Sequence, residues 1–541
     1  MAHCYISGRT NIFAASEERA SKDRPDQVLL ASLGHGDQFL QRLNQKKTPY
    51  FDALVDYVKD KTVSFHTPGH KQGVGMHRRL RDFIGDNVLS IDLTQVRGLD
   101  DLNQPDGPIL DAQILAAQAY GADYSYFLIN GSTAGNQAML MTALRPGDTV
   151  LLPRNSHKSA LSALIMSATR PVYMHPEVDP QLHVDHCVTL ETVRESLDAH
   201  PEAKAVFITS PTYYGATADL ARIVDEVHAR AKLVLVDEAW GPHLHFHPGL
   251  PPSATSVKAD VVVNSTHKLL GAMSQSSMLH TCGAGIDQGR LRSTLRIFQS
   301  TSPSLVLLAS LDVARMQMAT RGEALLRRTL ALARRTRRRL NEIDGVYCMG
   351  PEQVGRPGIA GYDETRIVIT VRGLGYTGYE AEQVLRERYN VQVELADLFN
   401  VVALVTIGDS QDSVGRLVNA VAGLAREDRP IGALTVGGPA RRGAKSAAYA
   451  QPAMPQVVMT PRQAFLSEHV EVPFQTSAGR ICAEVVTPYP PGIPILCPGE
   501  LIDRESIDYL RLEIKAGVHI QGPVDTKLRS IRVLAEDADG T

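Results

Sequence analysis

The chain has 541 residues, of which 43% are hydrophobic and 21% are charged, and its net charge is -3. A chain of this length divides into about two to four domains. The near-neutral charge gives no reason to expect nucleic acid or an anionic membrane as the main partner. No run of 18 apolar residues is present, and Met1–Ala20 lacks the apolar segment of a secretory signal. We therefore expect a cytoplasmic protein.

Cysteine and histidine give no evident metal site. The six cysteines form no C-x-x-C pair, so we expect free thiols in a reducing compartment. His243, His245 and His247 alternate as metal ligands on one strand face would, but no nearby carboxylate or thiolate completes a ligand set. A polar strand end or loop is the preferred interpretation, and no metal is predicted.

The hydrophobic pattern predicts an α/β fold. Short apolar strands without in/out alternation, separated by helices, indicate a mainly parallel sheet with helices on both faces. The predicted helices include Tyr50–Lys59, Thr133–Ala143, Lys158–Ser167, Leu190–Ala199, Leu220–Ala229 and about Pro303–Ile343. The predicted strands of the large sheet are Tyr124–Ile129, Thr149–Leu152, Pro171–Met174, Ala205–Ile208, Leu233–Val236, Asp260–Val263 and Ser276–Leu279.

Composition also predicts the order of the domains. A smaller α/β domain has predicted strands at Ile367–Val371, Val391–Leu395 and Val401–Thr406. A stretch rich in Pro, Gly and Ala then predicts a linker before a C-terminal α+β domain. The expected boundaries are an N-terminal extension (1–47), a large domain (48–345), the small domain (346–426), the linker (427–459) and the C-terminal domain (460–541).

Four polar motifs follow predicted strands of the large sheet, at the edge where open parallel sheets build ligand sites. The segment Asn130–Asn136, with Ser132 and Thr133, has the composition of a phosphate loop at a helix N-terminus. His157 follows another strand, where it could stack on an aromatic ring. Asp237 and Lys268 each follow a further strand, and they suit a protonated pyridine nitrogen and a Schiff base.

Each motif alone also has an ordinary structural interpretation. The loop and the histidine could be helix caps, the aspartate could form an ion pair, and the lysine could be a surface residue. Together their order matches one cofactor, which presents a phosphate, a ring face, a pyridine nitrogen and an aldehyde. The sequence therefore predicts a pyridoxal 5'-phosphate (PLP) site.

The chain resembles the bacterial ornithine/lysine/arginine decarboxylases, a family of fold-type-I PLP enzymes. Its overall length and its ending are most similar to the short-form arginine decarboxylases. The motifs that carry the resemblance are Thr67–Lys71, Gly98–Leu102, Asn130–Asn136, Ser210–Gly215, Asp237–Trp240, Ser265–Lys268, Tyr489–Pro494 and Pro498–Glu500.

The resemblance implies roles for individual residues. Lys268 would carry the cofactor, Asp237 would contact its pyridine nitrogen and His157 would stack on its ring. A dimer is the minimum implied assembly, because Thr301 or Ser302 resembles a phosphate contact lent by a partner subunit. Further cofactor contacts are expected at Ser132, Thr133, Ala134, Trp240, Ser265 and His267, and His267 also joins the candidate catalytic residues.

The implied activity is decarboxylation of a basic amino acid, with arginine as first choice and agmatine and CO2 as products. Lysine and ornithine remain alternatives, partly because Trp240 stands where many short relatives have histidine. A non-catalytic homologue that acts by binding is an alternative of another class. Candidate carboxylates for the distal cation of the substrate are Glu394, Asp397, Glu484 and Glu500.

Overall fold

The computed structural model describes residues 43–427, 452–489, 493–515 and 517–535. Most of the predicted extension (1–47) and of the predicted linker (427–459) lies outside the described residues, as do Pro490, Pro491 and Gly492. The described residues from 45 onward cluster as one compact unit, which contains the sheets described below.

The largest sheet contains the seven predicted strands. It consists of β1 (Tyr124–Leu128), β2 (Thr149–Pro153), β3 (Arg170–Met174), β4 (Ala205–Thr209), β5 (Leu233–Asp237), β6 (Val261–Asn264) and β7 (Ser277–Thr281). Their spatial order is β1-β7-β6-β5-β4-β2-β3. Neighbouring strands from β3 to β6 are parallel, and β7 runs antiparallel to both β6 and β1. The mainly parallel α/β fold is confirmed.

Helices cover both faces of this sheet, as the uninterrupted apolar strands require. In β5, Val234 and Val236 pack into one core cluster, while Leu235 packs into the cluster on the opposite face. None of the described helices is both long and apolar enough to cross a bilayer. The helices of this part are α1 (Pro49–Lys59), α2 (Arg78–Ile84), α3 (Asp86–Ser90), α4 (Pro108–Tyr120), α5 (Gly131–Ala143), α6 (Lys158–Ser167), α7 (Leu190–Ala199), α8 (Leu220–His228), α9 (Thr266–Leu269), α10 (Gln288–Phe298) and α11 (Leu305–Asn341).

The long helix α11 joins the large sheet to the smaller one. Its first turns, with Leu305 and Leu308, pack into the core beside α1 and α4. Its last turns, with Leu332 and Leu340, belong to the core of the small sheet. The predicted boundary near residue 345 stays a prediction, because one continuous helix contributes to both cores.

The small sheet is antiparallel throughout. It contains β8 (Tyr347–Met349), β9 (Arg366–Thr370), β10 (Leu395–Ala396) and β11 (Asn400–Leu404), in the order β8-β9-β11-β10, with helices α12 (Gly378–Tyr389) and α13 (Gln411–Ala425). The predicted strand Val391–Leu395 was wrong over most of its length. Helix α12 ends at Tyr389, and its C-cap residue Asn390 adopts the left-handed region (φ 51°). Ladder pairing starts only at Leu395, opposite Val402.

The C-terminal part mixes helices with two short antiparallel ladders. Strand β12 (His469–Pro473) pairs with β15 (Ser530–Leu534), and β13 (Thr487–Tyr489) pairs with β14 (His519–Gln521). Helices α14 (Pro461–Leu466) and α15 (Arg504–Lys515) complete it. Its core includes Phe474, Leu496 and Leu510. This arrangement agrees with the expected α+β class.

Glu513 on α15 is a buried carboxyl group at the junction of the C-terminal part with the small sheet. Its pKa is raised from 4.5 to about 7, chiefly by burial and also by the charge of Asp397, against a hydrogen bond with Tyr509 that lowers it. In the unfolded chain this group ionises near its ordinary value. The folded state therefore binds more protons between these two pKa values, and stability falls as pH rises through that window.

We expect Glu513→Gln to raise the unfolding temperature by a few degrees at about pH 8 and to change it little at about pH 5, where the native group is already neutral. Thermal unfolding at both pH values measures the effect. Glu505→Gln, at an exposed position of the same helix, is the control. An equal shift at both pH values would contradict the assignment.

Candidate functional site

The polar motifs converge at the carboxyl edge of the large sheet. Asp237 is the last residue of β5, and Lys268 lies on the single-turn helix α9 directly after β6. His157 caps the N-terminus of α6 after β2, and Ser132 lies in the first turn of α5 after β1. Parallel strands place their carboxyl ends on one side, so the predicted grouping of these residues is what the topology produces.

Lys268 is a half-buried amine that lies against an aromatic ring. Its Nζ is 3.8 Å from the centroid of the Trp240 ring. The pKa of Lys268 is lowered from 10.5 to about 8, chiefly by burial; the charge of Arg366 also lowers it, while Asp237 and Glu394 raise it. With this pKa about one amine in ten is unprotonated at pH 7, and the unprotonated amine is the form that attacks a carbonyl.

Asp237 is a buried carboxylate, 4% exposed. Its Oδ1 accepts a hydrogen bond from the backbone N–H of Ala239 at 3.0 Å, and its Oδ2 accepts one from the Nδ2 of Asn136 at 2.7 Å. Within the described residues, no cationic side chain lies within 4.0 Å of this carboxylate. A buried charge with neutral donors alone suits a cationic N–H supplied by a ligand.

His157 is held as a neutral ring. Its Nδ1 accepts a hydrogen bond from the backbone N–H of Ser159 at 3.2 Å and lies 2.8 Å from the Ser159 hydroxyl. Burial lowers the pKa of His157 to about 4; Asp237 raises it, while Lys268 and Lys158 lower it further. An uncharged imidazole at this edge could stack on a planar ligand.

The start of α5 forms an anion-binding edge. Gly131 has a positive φ of 69°, and its N–H donates to the backbone oxygen of Gln275 at 2.9 Å. The N-cap Asn130 makes no side-chain cap bond, so among the described contacts the N–H groups of Ser132 and Thr133 are available to a ligand. Ser265 donates a hydrogen bond to the hydroxyl oxygen of Ser132 at 2.8 Å. A Cβ at Gly135 would lie 2.4 Å from Cγ2 of Val263, so only glycine lets this turn pack against β6. The predicted contacts Thr133 and Ala134 lie in the same turn.

His267 precedes Lys268 in the sequence, and its ring proton is held by a hydrogen bond within the protein. Its Nδ1 donates a hydrogen bond to the backbone oxygen of Ser276 at 2.9 Å. The pKa of His267 is lowered, chiefly by burial. The neutral ring therefore carries its proton on Nδ1, directed away from any ligand at Nε2.

Several residues near the site were not predicted individually. Asn136 and Ser159 contact Asp237 and His157, and Asn136 lies one helical turn after Ser132, which is a periodicity signal that could have identified it. Arg366 gave no local signal, because it comes from β9 of the small sheet. Its guanidinium lies 4.8 Å from the centroid of the Trp240 ring and donates to the Trp240 backbone oxygen at 2.7 Å.

Thr301 and Ser302 are exposed and lie between α10 and α11. The backbone oxygen of Thr301 accepts a hydrogen bond from Gln95, and the Ser302 N–H donates to the Ser300 hydroxyl oxygen. Their predicted role in a partner's site stays a prediction.

Glu500, one of the four candidate substrate carboxylates, is engaged inside the protein. It forms a buried ion pair with Arg154, including an Nη2–Oε2 contact of 2.9 Å. Arg154 also donates to the backbone oxygens of Pro494 and Ile495 and lies over the Tyr173 ring. The pair joins the loop after β2 to the C-terminal part, so the structure favours a structural role over substrate binding.

Asp397 and Glu484 are also engaged. Asp397 accepts hydrogen bonds from the Tyr214 hydroxyl at 2.8 Å and from the side chain and backbone of Asn400. Glu484 accepts from two backbone N–H groups, at 2.8 Å each, one of them on Arg532. Both residues are at least nine-tenths buried, so their carboxylate oxygens stabilise the fold through these hydrogen bonds.

Glu394 differs from the other three candidates. It is exposed, and no described cationic side chain lies within ion-pair distance of its carboxylate. Its negative charge nevertheless acts to raise the pKa values of Lys268, His267 and Arg366, so Glu394 is close enough to these residues to influence them electrostatically.

His243, His245 and His247 each form a hydrogen bond within the protein, and the Nδ1 of His247 accepts from the Gly249 N–H at 3.0 Å. His243 faces Asp363 at 3.2 Å and His245 contacts Ser253 at 3.1 Å. Across the described part of the chain, no group of three His, Cys, Asp or Glu side chains is arranged to hold a metal ion. The five described cysteines are free and buried.

Comparison with known proteins places most of the chain in one family. A family model described as the major domain of Orn/Lys/Arg decarboxylases matches residues 48–413, and the model of the C-terminal domain of the same family matches residues 443–523. An arginine decarboxylase from Bacillus anthracis is 43% identical over 497 residues, which cover 92% of this chain and 99% of that protein.

An arginine decarboxylase from Bacillus subtilis (strain 168) is 43% identical over 494 residues, covering 91% of this chain and 99% of the relative. The crystal structure of the lysine decarboxylase LdcF from Francisella novicida superposes with a TM-score of 0.78 at 22% identity, covering 90% of this chain and 81% of that one. At that identity the likeness concerns the fold alone.

We expect Glu500→Gln to destabilise the protein by ~3–5 kcal/mol, because it leaves the Arg154 guanidinium buried without its counter-charge. Chemical unfolding measures the loss. Asp508→Asn, which removes one partner of the exposed Arg504–Asp508 pair, is the matched control and should cost less than ~1 kcal/mol. Equal stability of the two variants would refute the structural role of Glu500.

Proposed function

The chain belongs to the Orn/Lys/Arg decarboxylase family, and on that premise we propose that it converts L-arginine to agmatine and CO2 with pyridoxal 5'-phosphate as cofactor. The observation that carries the proposal is the convergence of Lys268, Asp237, His157 and the N-terminus of α5 at one sheet edge. The choice of arginine is supported by relatives of that activity at 43% identity over almost their full length.

The residues present fit the proposed cofactor. Lys268 would bind its aldehyde carbon, His157 would cover a face of its ring, and Ser132 and Ser265 would hold its phosphate. Asp237 would accept a hydrogen bond from the pyridine N–H, which would supply a cationic partner at ion-pair distance; among the described residues this carboxylate has only neutral donors at that distance. When bound, pyridoxal phosphate supplies the electron sink for the electrons left on Cα as CO2 departs.

Side chains of the protein would hold or donate the protons that the reaction requires. The Asp237 carboxylate, which accepts hydrogen bonds from the Ala239 N–H and from Asn136, would hold a proton on the pyridine nitrogen. After CO2 leaves, Cα needs a proton, and Lys268 and His267 are the two candidates. The geometry favours the Nζ of Lys268, because the proton of neutral His267 is used on the Ser276 oxygen.

We propose Glu394 as the carboxylate that binds the distal guanidinium of the substrate. Three of the four candidates are engaged by protein groups, and Glu394 is the one whose charge acts on Lys268 across the site. A carboxylate binds a guanidinium through two parallel hydrogen bonds, whereas an ammonium group acts as a point charge.

We also propose that the protein forms a homodimer in which Thr301 or Ser302 reaches the partner's phosphate edge. Both residues are exposed, so they are available for such a contact. The proposal rests on the resemblance to the family.

The activity is tested by incubating the purified chain and PLP with arginine, lysine or ornithine and comparing amine and CO2 release as kcat/KM. We expect arginine to give the highest value. Borohydride reduction of the coloured protein should fix the cofactor onto Lys268, as seen by peptide mass spectrometry, and Lys268→Ala should remain unlabelled. A protein that cannot be reconstituted with PLP would contradict the proposal and favour a non-catalytic homologue.

We expect Glu394→Gln to raise KM for arginine about ten- to a hundred-fold, because a charge-assisted hydrogen bond contributes about 1.5–3 kcal/mol. Steady-state kinetics measures this, with kcat changing less than KM. Glu387→Gln, at an exposed site on α12 of the same small part, is the control. Equal KM values in the two variants would rule out Glu394 as the substrate carboxylate.

A further inference from the structure

A short chain of hydrogen bonds runs beneath the candidate site, between helices α5 and α6. The Nδ2 of Asn136 donates to Asp237 Oδ2 at 2.7 Å and to the Ser159 hydroxyl oxygen at 2.8 Å. The Ser159 hydroxyl in turn lies 2.8 Å from Nδ1 of His157. Asn136 and Ser159 are only 1% and 2% exposed, so water does not replace these contacts.

The direction of these hydrogen bonds is fixed by Asp237. An ionised carboxylate only accepts, so Asn136 must turn its NH2 group toward it and cannot adopt the flipped amide orientation. That orientation leaves Asn136 Oδ1 buried with no hydrogen-bond partner in the described structure. Burying a carbonyl oxygen without a hydrogen-bond partner costs free energy. We infer that the two hydrogen bonds donated by the Asn136 NH2 group offset this cost.

The donor and acceptor roles set by Asp237 and Asn136 also determine which nitrogen of His157 accepts a hydrogen bond. Because the Ser159 oxygen accepts from Asn136, its hydroxyl proton is free to donate to His157 Nδ1. The backbone N–H of Ser159 also points at this nitrogen. Two donors aimed at Nδ1 make it an acceptor, so the ring proton lies on Nε2.

We propose that Asn136 and Ser159 are positioning residues that hold His157 as the Nε2–H tautomer and fix its ring relative to Asp237. This relay, consisting of Asn136, Ser159 and His157, rests on the proposed function, because it organises two groups assigned to the same cofactor. It joins the residue that would cover the ring face to the residue that would hold the ring nitrogen.

The relay also opposes protonation of His157. A proton on Nδ1 would point at the Ser159 N–H, and the two hydrogens would repel each other. The relay therefore favours the neutral ring, as does burial, which lowers the pKa of His157. The charged groups that act on His157 are Asp237 on β5, which favours its protonation, and Lys268 on α9 and Lys158 on α6, which disfavour it. A protonated ring would repel a pyridinium held against it.

The same two helices offer a matched control pair. Gln137 and Ser162 are linked by a hydrogen bond of 3.1 Å from Nε2 to Oγ, one position along α5 and three along α6. Ser159→Ala and Ser162→Ala therefore remove the same hydroxyl group from the same helix, and only the first belongs to the relay.

The test uses the full chain and the sole tryptophan, Trp240, as a probe. PLP binding to the apoprotein is followed by quenching of Trp240 fluorescence between about pH 5 and pH 8, and arginine kinetics are measured on the loaded enzyme. We expect Ser159→Ala to bind PLP about five- to tenfold more weakly than Ser162→Ala at the acid end, with a smaller difference at the basic end, because its His157 gains a proton more readily. Its kcat should fall about tenfold with little change in KM.

If the Ser159→Ala variant unfolds, a comparison of threonine with valine at position 159 tests the hydroxyl group, because these two side chains have the same shape and differ only in that group. Ser159→Thr retains the hydroxyl and should keep the native pH profile of PLP binding, whereas Ser159→Val should lose it. Circular dichroism verifies the fold of each variant.

The proposal is overturned if Ser159→Ala matches Ser162→Ala in both measurements, or if its loss of PLP affinity is the same at every pH. It is also overturned if the Thr and Val variants behave alike. A wild-type protein that neither responds to PLP nor decarboxylates arginine would instead refute the proposed function.

Discussion

The buried carboxylate of Asp237 is the constraint on which the rest of the site depends. Removing an anion from water is costly unless donors replace the lost hydration. The protein supplies two neutral donors, one from the backbone after β5 and one from Asn136 on a neighbouring helix. The requirement for the second donor fixes the orientation of Asn136 and, through Ser159, that of His157. The buried charge at the end of β5 thus orients side chains that follow two other strands, β1 and β2.

Burial explains why most of the acidic candidates serve the fold. Glu500, Asp397 and Glu484 are each surrounded by donors that satisfy their oxygens, and Glu500 holds the C-terminal part against the loop that carries His157. Glu394, proposed to bind the substrate, is exposed and has no described cationic side chain within ion-pair distance. The environments of the four carboxylates therefore separate the three structural ones from the proposed substrate contact, which their positions in the sequence did not do.

Much of the fold could be predicted because a strand that is buried on both faces of its sheet is an uninterrupted run of apolar residues in the sequence. Each of the seven large-sheet strands was identified from a short apolar run. The small sheet was harder, because Val391 and Val393 mimic a strand although the chain there is still returning from the end of α12. The antiparallel direction of β7 also left no local signal, since strand direction depends on the path of the whole chain.

By itself, the sequence determined the types of residue at the strand ends and their order along the chain. Those features were enough to indicate one cofactor, because the chemistry of Lys268, Asp237 and His157 depends on residue type and on a common sheet edge. Only the tertiary structure decided which groups contact one another: the bond from Asn136 to Asp237, the approach of Arg366 to Trp240 and the pairing of Arg154 with Glu500. These contacts join residues about 100 to 350 positions apart, and such distances are set by how the helices and sheets pack, which no local pattern encodes.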